Sequence, residues 1–330
     1  MSRKIKHIFK TKEMILALIA VAIVIGFTII NPNFLRPGSL SGIMQSISII
    51  GIIAIGIGIL LIGGTIDLSV GQISLFGGVV VAMLIESGIP WGFAIVLTLV
   101  ISAAVGAINA LLITKLSMMP FIATIAVSNV LMGLILVLTN AQNIPVPVES
   151  FWWGSRMLWI FPFPFIIMVI LLVIYGFVLN RTQFGRNIYL VGGNLNSARL
   201  AGVNPARVRT ILYINSAVLA SFSGIVVASR MQTAAPQTQA DTQLNAIAAV
   251  ILGGVAFTGG SGGMAGVFIG TAIFGFFNSG LASLALDAFW SLIASGGLLV
   301  IALTADYINE RSRERLLKKK IRHVSSVKGG

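Results

Sequence analysis

The chain is 330 residues long, 57% hydrophobic and only 9% charged, with a mean hydropathy of +1.00. A globule of that size cannot hide so much apolar surface from water, so the composition excludes a soluble domain and predicts an all-α polytopic membrane protein. The absence of cysteine excludes disulfide scaffolds and thiolate metal sites, and the net charge of +13 does not mark a nucleic-acid partner, because the basic residues flank apolar runs rather than collect on one face.

From the N-terminus, MSRKIKHIFKTKE precedes an apolar run in the manner of a signal peptide. The run from Met14 to Ile30 is too long for one, and the NPNFLRPGSL that follows has no small-x-small cleavage site, so the segment is expected to stay as a first span. About ten transmembrane helices are predicted, over residues 14–30, 43–63, 68–85, 91–114, 121–139, 158–179, 211–230, 243–258, 263–284 and 288–307. The eighth is short and glycine-rich, which fits a half-helix or re-entrant segment and leaves nine or eleven crossings open. Charge favours an even number with both termini cytoplasmic. Nineteen basic residues then lie inside, in the tails 1–13 and 308–330, at Lys115 and in the segment 181–210, against three outside, Arg36, Arg156 and Arg230.

Asp67, between the paired Gly63-Gly64 and the third span, is the one acidic residue of nine that approaches the membrane interior. It reads as the N-cap of that span or as a polar hinge working with the two glycines. The adjoining Leu68-Ser69-Val70-Gly71-Gln72 looks like the LSGGQ signature of ABC ATPases, but it opens a membrane span and lacks the nucleotide-binding fold, so the match is rejected. The outer stretch 140–157 combines Pro145 and Pro147 with Trp152 and Trp153, and reads as an interfacial aromatic belt or as a lip for a docking partner.

Arg181 to Thr210 is the only long polar segment inside the apolar chain, with five arginines and no acid. Asn194 is expected to cap a helix of about two turns over Leu195–Ala201, Gly202 to take the left-handed position after it, and Asn204 with Pro205 to open the next helix. So short a helix is marginal in water and needs a surface, read here as another protein; Ala198 and Ala201 are expected to share its seating face. Further on, Gly253-Gly254 echoes Gly63-Gly64 at the end of an apolar run, which points to an internal duplication, and Gly262, Gly266 and Gly270 at four-residue spacing predict a close-packed helix face.

No GxxxxGK[ST] motif occurs, His7 and His323 lie in the charged tails, and no catalytic constellation is visible, so catalytic, cofactor and metal sites are not expected in this chain. Carriers coupled to protons or sodium bury ionisable groups in their spans at high cost; the scarcity of such groups here points to an external source of energy.

The segments GGTIDLSVGQ (63–72), PFIAT (120–124), TQFGRNIYLVGGN (182–194), ARLAGV (198–203) and NAIAAVILGG (245–254) resemble, in order and over nearly the whole chain, the membrane permeases of bacterial ABC importers for ribose, galactosides and related simple sugars. The resemblance implies one transmembrane permease domain over 1–330 in the bacterial inner membrane. It also implies partners: cytoplasmic ATPase subunits that carry the ATP and Mg, a periplasmic substrate-binding protein, and a second permease copy or sister permease. Asn194, Asn196, Ser197, Ala198, Arg199, Ala201 and Gly202 would form the ATPase-coupling segment, a degenerate EAA-x-x-x-G loop of which only Ala198 and Gly202 match. With such partners, Arg36, Arg156 and Arg230 become candidates for docking the binding protein, and Gly63, Gly64, Asp67, Gly253 and Gly254 candidates for a hinge or pore. Two departures stand out: Gln243 and Asn245 replace the acids of the family's Glu-Leu-Asp-Ala-Ile-Ala, and Met132-Gly133-Leu134 stands where many relatives have Arg-Gly-Leu. The same architecture serves branched-chain amino acids, nucleosides or a sugar-like signal as alternative substrates; a stand-alone secondary carrier is disfavoured by the lack of intramembrane charge.

Overall fold

The computed structural model describes residues 3–146, 151, 153–236 and 242–284, with isolated positions between 290 and 304. Most of the expected span 288–307 and the basic tail after it fall outside the described residues. Helices α1 (Arg3–Ile30), α2 (Pro37–Ile62), α3 (Val70–Glu86), α4 (Trp91–Thr114) and α5 (Pro120–Thr139) come first. Then α6 (Phe163–Arg181), α7 (Gln183–Gly193) and α8 (Leu195–Leu200) lead into the long α9 (Pro205–Met231), followed by α10 (Thr242–Leu252) and α11 (Met264–Ser283). Six of these, α2, α4, α5, α6, α9 and α11, are long and apolar enough to cross a membrane. Prolines sit in the first turns of α2, α5, α6 and α9, where the N–H that proline lacks has no partner within the helix.

Several boundaries differ from expectation for local reasons. The sixth helix starts at Phe163 rather than near 158, because β2 (Met157–Leu158) pairs antiparallel with β3 (Phe161–Pro162) in a tight ribbon just before it. The eighth expected span is helical only over the 11 residues of α10, roughly 16 Å, too short to cross a bilayer unaided. A second ribbon, β1 (Ile144–Pro145) against β4 (Thr233–Ala234), ties the chain after α5 to the chain after α9.

Burial ranks the helices. Every residue from Gly51 to Gly63 in and just after α2, and from Ser69 to Ala82 at the start of and along α3, is buried, as expected of helices apolar on all sides. The central α9 packs against α2, α3 and α4 through small residues. A Cβ at Gly224 of α9 would stand 1.6 Å from the carbonyl oxygen of Ser74 in α3, and one at Gly106 of α4 would stand 2.7 Å from the carbonyl oxygen of Tyr213 in α9. Close backbone approach of this kind holds helices together where lipid offers no hydrophobic contrast. Gly224→Ala is therefore expected to force α3 from α9 and lower the yield of monodisperse protein several-fold by size-exclusion chromatography. Gly133→Ala is the control and leaves the yield unchanged, since nothing lies within 4 Å of a Cβ there; equal yields for both variants would show that the α3–α9 seam tolerates separation.

The expected glycine face of α11 is corrected in one member. Gly266 and Gly270 do share a face and meet Gly253 and Ala249, but Gly262 precedes the helix, at φ +132° against Val255.

Candidate functional site

Ahead of α9 the polar segment holds two helices, α7 as well as the expected α8. Thr182 caps α7 by accepting from the Gly185 N–H at 3.1 Å, and Gly185, Ile188 and Val191 form the buried stripe of this amphipathic helix. The Tyr189 hydroxyl donates to the Gly262 carbonyl at 2.8 Å; burial raises its pKa, so it stays protonated as a donor. Asn194, the only residue between α7 and α8, accepts from the Ser197 N–H at 2.9 Å and caps α8. The helix ends with Gly202 at φ +77° and the Val203 N–H bonded to the Ala198 carbonyl at 3.0 Å, the closure a left-handed glycine permits. Asn204 then caps α9, accepting from Arg207 N–H at 3.1 Å.

Caps and glycine thus stand where the sequence puts them, but the seating face does not. Ala198 is fully buried within the chain, while Asn194, Asn196, Ser197, Arg199, Ala201 and Gly202 are exposed. The outward feature that residue type alone missed is Leu200, 90% exposed beside the exposed Asn196, Ser197 and Arg199. The alanine pair was expected at the partner because small residues permit close approach; instead that approach is used inward, where α8 rests on α7 and α9.

Above α8 lies a glycine seam. Gly64 (φ +68°) and Gly254 (φ +84°) end α2 and α10 in the same way, with Thr65 N–H bonded to the Leu60 carbonyl and Val255 N–H to the Val250 carbonyl. Gly63 and Gly253 supply the preceding turn in each, so the echo in sequence is an echo in hydrogen bonding. The two turns also meet: Gly260 N–H donates to the Ile62 carbonyl at 2.9 Å, and a Cβ at Gly259 would lie 2.7 Å from the Gly64 Cα. Gly192 of α7 closes the joint, since a Cβ there would lie 1.8 Å from the Ile62 carbonyl oxygen and 2.8 Å from the Gly260 nitrogen. Arg209 of α9 donates to the Gly64 carbonyl at 3.0 Å.

Between Gly64 and α3 the backbone is non-helical and depends on side chains from neighbouring helices. Leu68 N–H donates to the Thr124 hydroxyl of α5 at 3.1 Å; the Tyr213 hydroxyl of α9 donates to the Ile66 carbonyl at 3.0 Å and bonds the Thr65 hydroxyl. Such bonds are what permits irregular backbone inside a membrane protein. Asp67 is fully buried here, and it is not the N-cap of α3. Its Oδ1 accepts from the Ser69 N–H at 2.8 Å and the Ser69 hydroxyl at 2.5 Å, and its Oδ2 accepts from the Asn109 amide of α4 at 3.3 Å. The first free N–H groups of the helix come later in the chain than Ser69, so the carboxylate shapes the turn before α3 and ties it to α4.

The departures from the family pattern also find their place. A Cβ at Gly71 would lie 1.9 Å from the Oε1 of Gln243, so the first turns of α3 and α10 touch through that amide. The Oε1 atoms of both Gln243 and the neighbouring Gln72 are buried with no protein donor, whereas Asn245 is half-buried on the same short helix.

At the other end of α9, 27 residues or roughly 40 Å away, residues 151 and 153–155 pack on the helix terminus. Gly154 N–H donates to the Ser229 hydroxyl at 2.9 Å, which donates to the Phe151 carbonyl at 2.9 Å, and the Ser155 hydroxyl donates to the Arg230 carbonyl at 3.2 Å. This brings Arg156 and Arg230 into one region; Arg36 is the N-cap residue of α2 in the turn after α1. Among the described residues there is no cluster of His, Cys, Asp and Glu able to hold a metal ion.

A family model described as "Branched-chain amino acid transport system / permease component" matches residues 39–303. The ribose import permease protein RbsC of Bacillus subtilis (strain 168) is 37% identical over 287 residues, covering 86% of this chain and 89% of that protein. Its counterpart in Escherichia coli (strain K12) is 32% identical over 305 residues, covering 91% and 94%. The L-arabinose ABC transporter permease protein AraH of Azospirillum brasilense is 32% identical, covering 86% and 84%. No solved structure matches significantly.

Proposed function

We infer from this chain's place in the branched-chain amino acid transport system permease family, to which it belongs, that it is the membrane-spanning subunit of an ABC importer for a simple sugar. The chain is a permease and not an enzyme; ATP and its Mg belong to a separate ATPase subunit. The ribose and arabinose in the relatives' names make a pentose the first substrate to test.

The observation that carries the reading is α8, a capped helix with one exposed leucine, joined through α7 to the glycine seam. A two-turn helix that projects Leu200 and Arg199 fits a groove on an ATPase, and Asn194 leaves no slack between it and α7. Displacement of α8 would move Gly192 against the Ile62 carbonyl, where the turns after α2 and α10 meet. The orphan amide oxygens of Gln72 and Gln243 are acceptors suited to a sugar's hydroxyls, and we assign the sugar's path to that junction. Uncharged amides in place of the family's acids suit a neutral substrate. Positive charge orients the chain with α8 and both termini in the cytoplasm, giving ten crossings of which α3 and α10 use non-helical backbone. The permease pairs with a second copy or a sister, and Arg36, Arg156 and Arg230 face a periplasmic binding protein, steering its approach more than its affinity.

The test exploits the absence of native cysteine. In cells lacking other pentose importers, the chain expressed with its ATPase and binding protein is expected to take up labelled ribose or arabinose. Ser155→Cys is expected to react with an impermeant maleimide in intact cells, and Ser197→Cys only after permeabilisation. Uptake that survives loss of the ATPase but not an uncoupler would return the chain to the secondary carriers, and labelling of Ser197→Cys in intact cells would invert the topology.

A further inference from the structure

Only one side of α5 is covered by its own chain. Ala123, Thr124, Leu131, Ile135 and Thr139 are buried, and the helix packs on α3 and α4. On the opposite side Ile122, Ala126, Asn129, Gly133 and Val137 are all exposed, at spacings of three and four residues that place them on one face. Contact with lipid accounts for the apolar members of that face. It does not account for Asn129.

Asn129 is in the middle of the 20-residue α5, so about 15 Å of helix separate it from either end and it stands near the centre of the hydrocarbon. Its carboxamide has no hydrogen-bond partner among the described residues. Lipid tails offer neither donor nor acceptor, so a carboxamide left facing them is costly, and a bond to another helix removes that cost. Ala126 and Gly133 stand about one turn to either side of it, and nothing of the chain lies within 4 Å of a Cβ at Gly133. A second helix can therefore approach closely enough for the amide to reach it.

We propose that the outer face of α5 docks on α5 of a second copy of this chain, with the two Asn129 amides bonded to each other at the centre of the contact. The proposal rests on the reading of the chain as a permease that works in pairs, and it commits that reading to two identical chains. The chemistry of the amide selects the partner. Copies of one chain insert in the same orientation, so a two-fold axis along the membrane normal brings Asn129 opposite Asn129 at equal depth. A carboxamide carries both donor and acceptor, so each NH2 donates to the other copy's Oδ1 and neither amide is stranded. The covered side of the same helix carries Thr124, which accepts from the Leu68 N–H, so the contact between copies is joined directly to the non-helical turn before α3.

Disulfide trapping in the full chain, which has no native cysteine, tests the proposal. Ala126→Cys and Gly133→Cys lie on the proposed face and keep the amide; Val173→Cys, at a position 67% exposed on α6, is the control for chance collision. The protein, purified alone and reconstituted in liposomes at decreasing protein-to-lipid ratio, is expected to form linked dimers rapidly at 126 and 133 and slowly at 173. Asn129→Leu, added to Ala126→Cys, is expected to weaken pairing about tenfold, the worth of an interhelical amide contact, and Asn129→Gln, which keeps the amide, to weaken it less. Gly133→Leu has room within the chain, so it is expected to fold with wild-type yield and to pair poorly. Linkage at 173 as fast as at 126, or pairing unchanged by both Asn129→Leu and Gly133→Leu, would overturn the proposal. So would a disulfide formed within one chain, between Ala126→Cys and a cysteine placed in the expected span 288–307, or linkage seen only when a sister permease is co-expressed. Pairing is read without sugar, ATPase or binding protein, so its failure leaves the importer reading standing.

Discussion

Leu200→Asp is expected to give a permease that inserts, folds and purifies like wild type but does not retain its ATPase and shows no transport-linked ATP hydrolysis. Leu200 is 90% exposed, so its removal breaks no internal contact, and the change in the chain's own stability should stay within about 0.5 kcal/mol. At an interface the same side chain would bury most of its surface, contributing on the order of 1.5–3 kcal/mol. An aspartate in its place adds the cost of desolvating a charge. Together these reach roughly 4 kcal/mol, about a thousandfold in affinity. Leu200→Ala should lose only the apolar part, about ten- to hundredfold. Gly202→Val acts differently: at φ +77° a β-branched residue is strained by about 1–2 kcal/mol, which frays the end of α8 without touching its outer face. The decisive comparison is co-purification with the ATPase and the hydrolysis that substrate-loaded binding protein stimulates. If Leu200→Asp assembles and hydrolyses at the wild-type level, α8 is not the coupling element.

How far these positions could be read in advance depends on the physics that governs each. Caps and helix ends are local, so Asn194, Gly202, Asn204 and Pro205 were legible one residue at a time. Long apolar runs bounded by turns were legible for the same reason, and α4 begins and ends where its run does. Packing direction is not local. Ala198 looks the same in sequence whether it faces a partner or its own fold, and the apolar stripe of α7, Ile188 and Val191, is masked in sequence by the glycines that interrupt it. Those glycines carry the tertiary information: Gly192 needs Ile62 and Gly260 beside it before its purpose can be seen. Asn109 is a readable signal, a lone amide in an apolar span that asks for a partner. Its partner, Asp67, stands just before α3, a position that in sequence fits a cap or a hinge equally well.

Asp67→Ala is expected to abolish the folded protein, not merely its transport. The substitution leaves the Ser69 N–H, the Ser69 hydroxyl and the Asn109 amide without their acceptor in a fully buried place. At about 1–3 kcal/mol for each stranded donor, the loss is of order 5 kcal/mol, comparable to the whole stability of many proteins. Asp67→Asn is milder. Its amide oxygen can still accept from the Ser69 N–H, but its NH2 then faces the Asn109 NH2, two donors across one contact. The Asn109 Oδ1, buried and without a donor, supplies the remedy, because an inverted Asn109 amide would present it to the new NH2 at the cost of its bond to the Ser69 hydroxyl, 2.8 Å in the native chain. The exchange of both residues goes further: Asp67→Asn combined with Asn109→Asp restores one carboxylate facing one amide and is expected to recover most of the monodisperse protein that Asp67→Ala loses. A residue acting only as a helix cap would be indifferent to position 109. Thermal unfolding in detergent of the two single variants and the double variant therefore separates the accounts; additive losses, with no recovery in the double variant, would mean that the carboxylate and the Asn109 amide are not coupled.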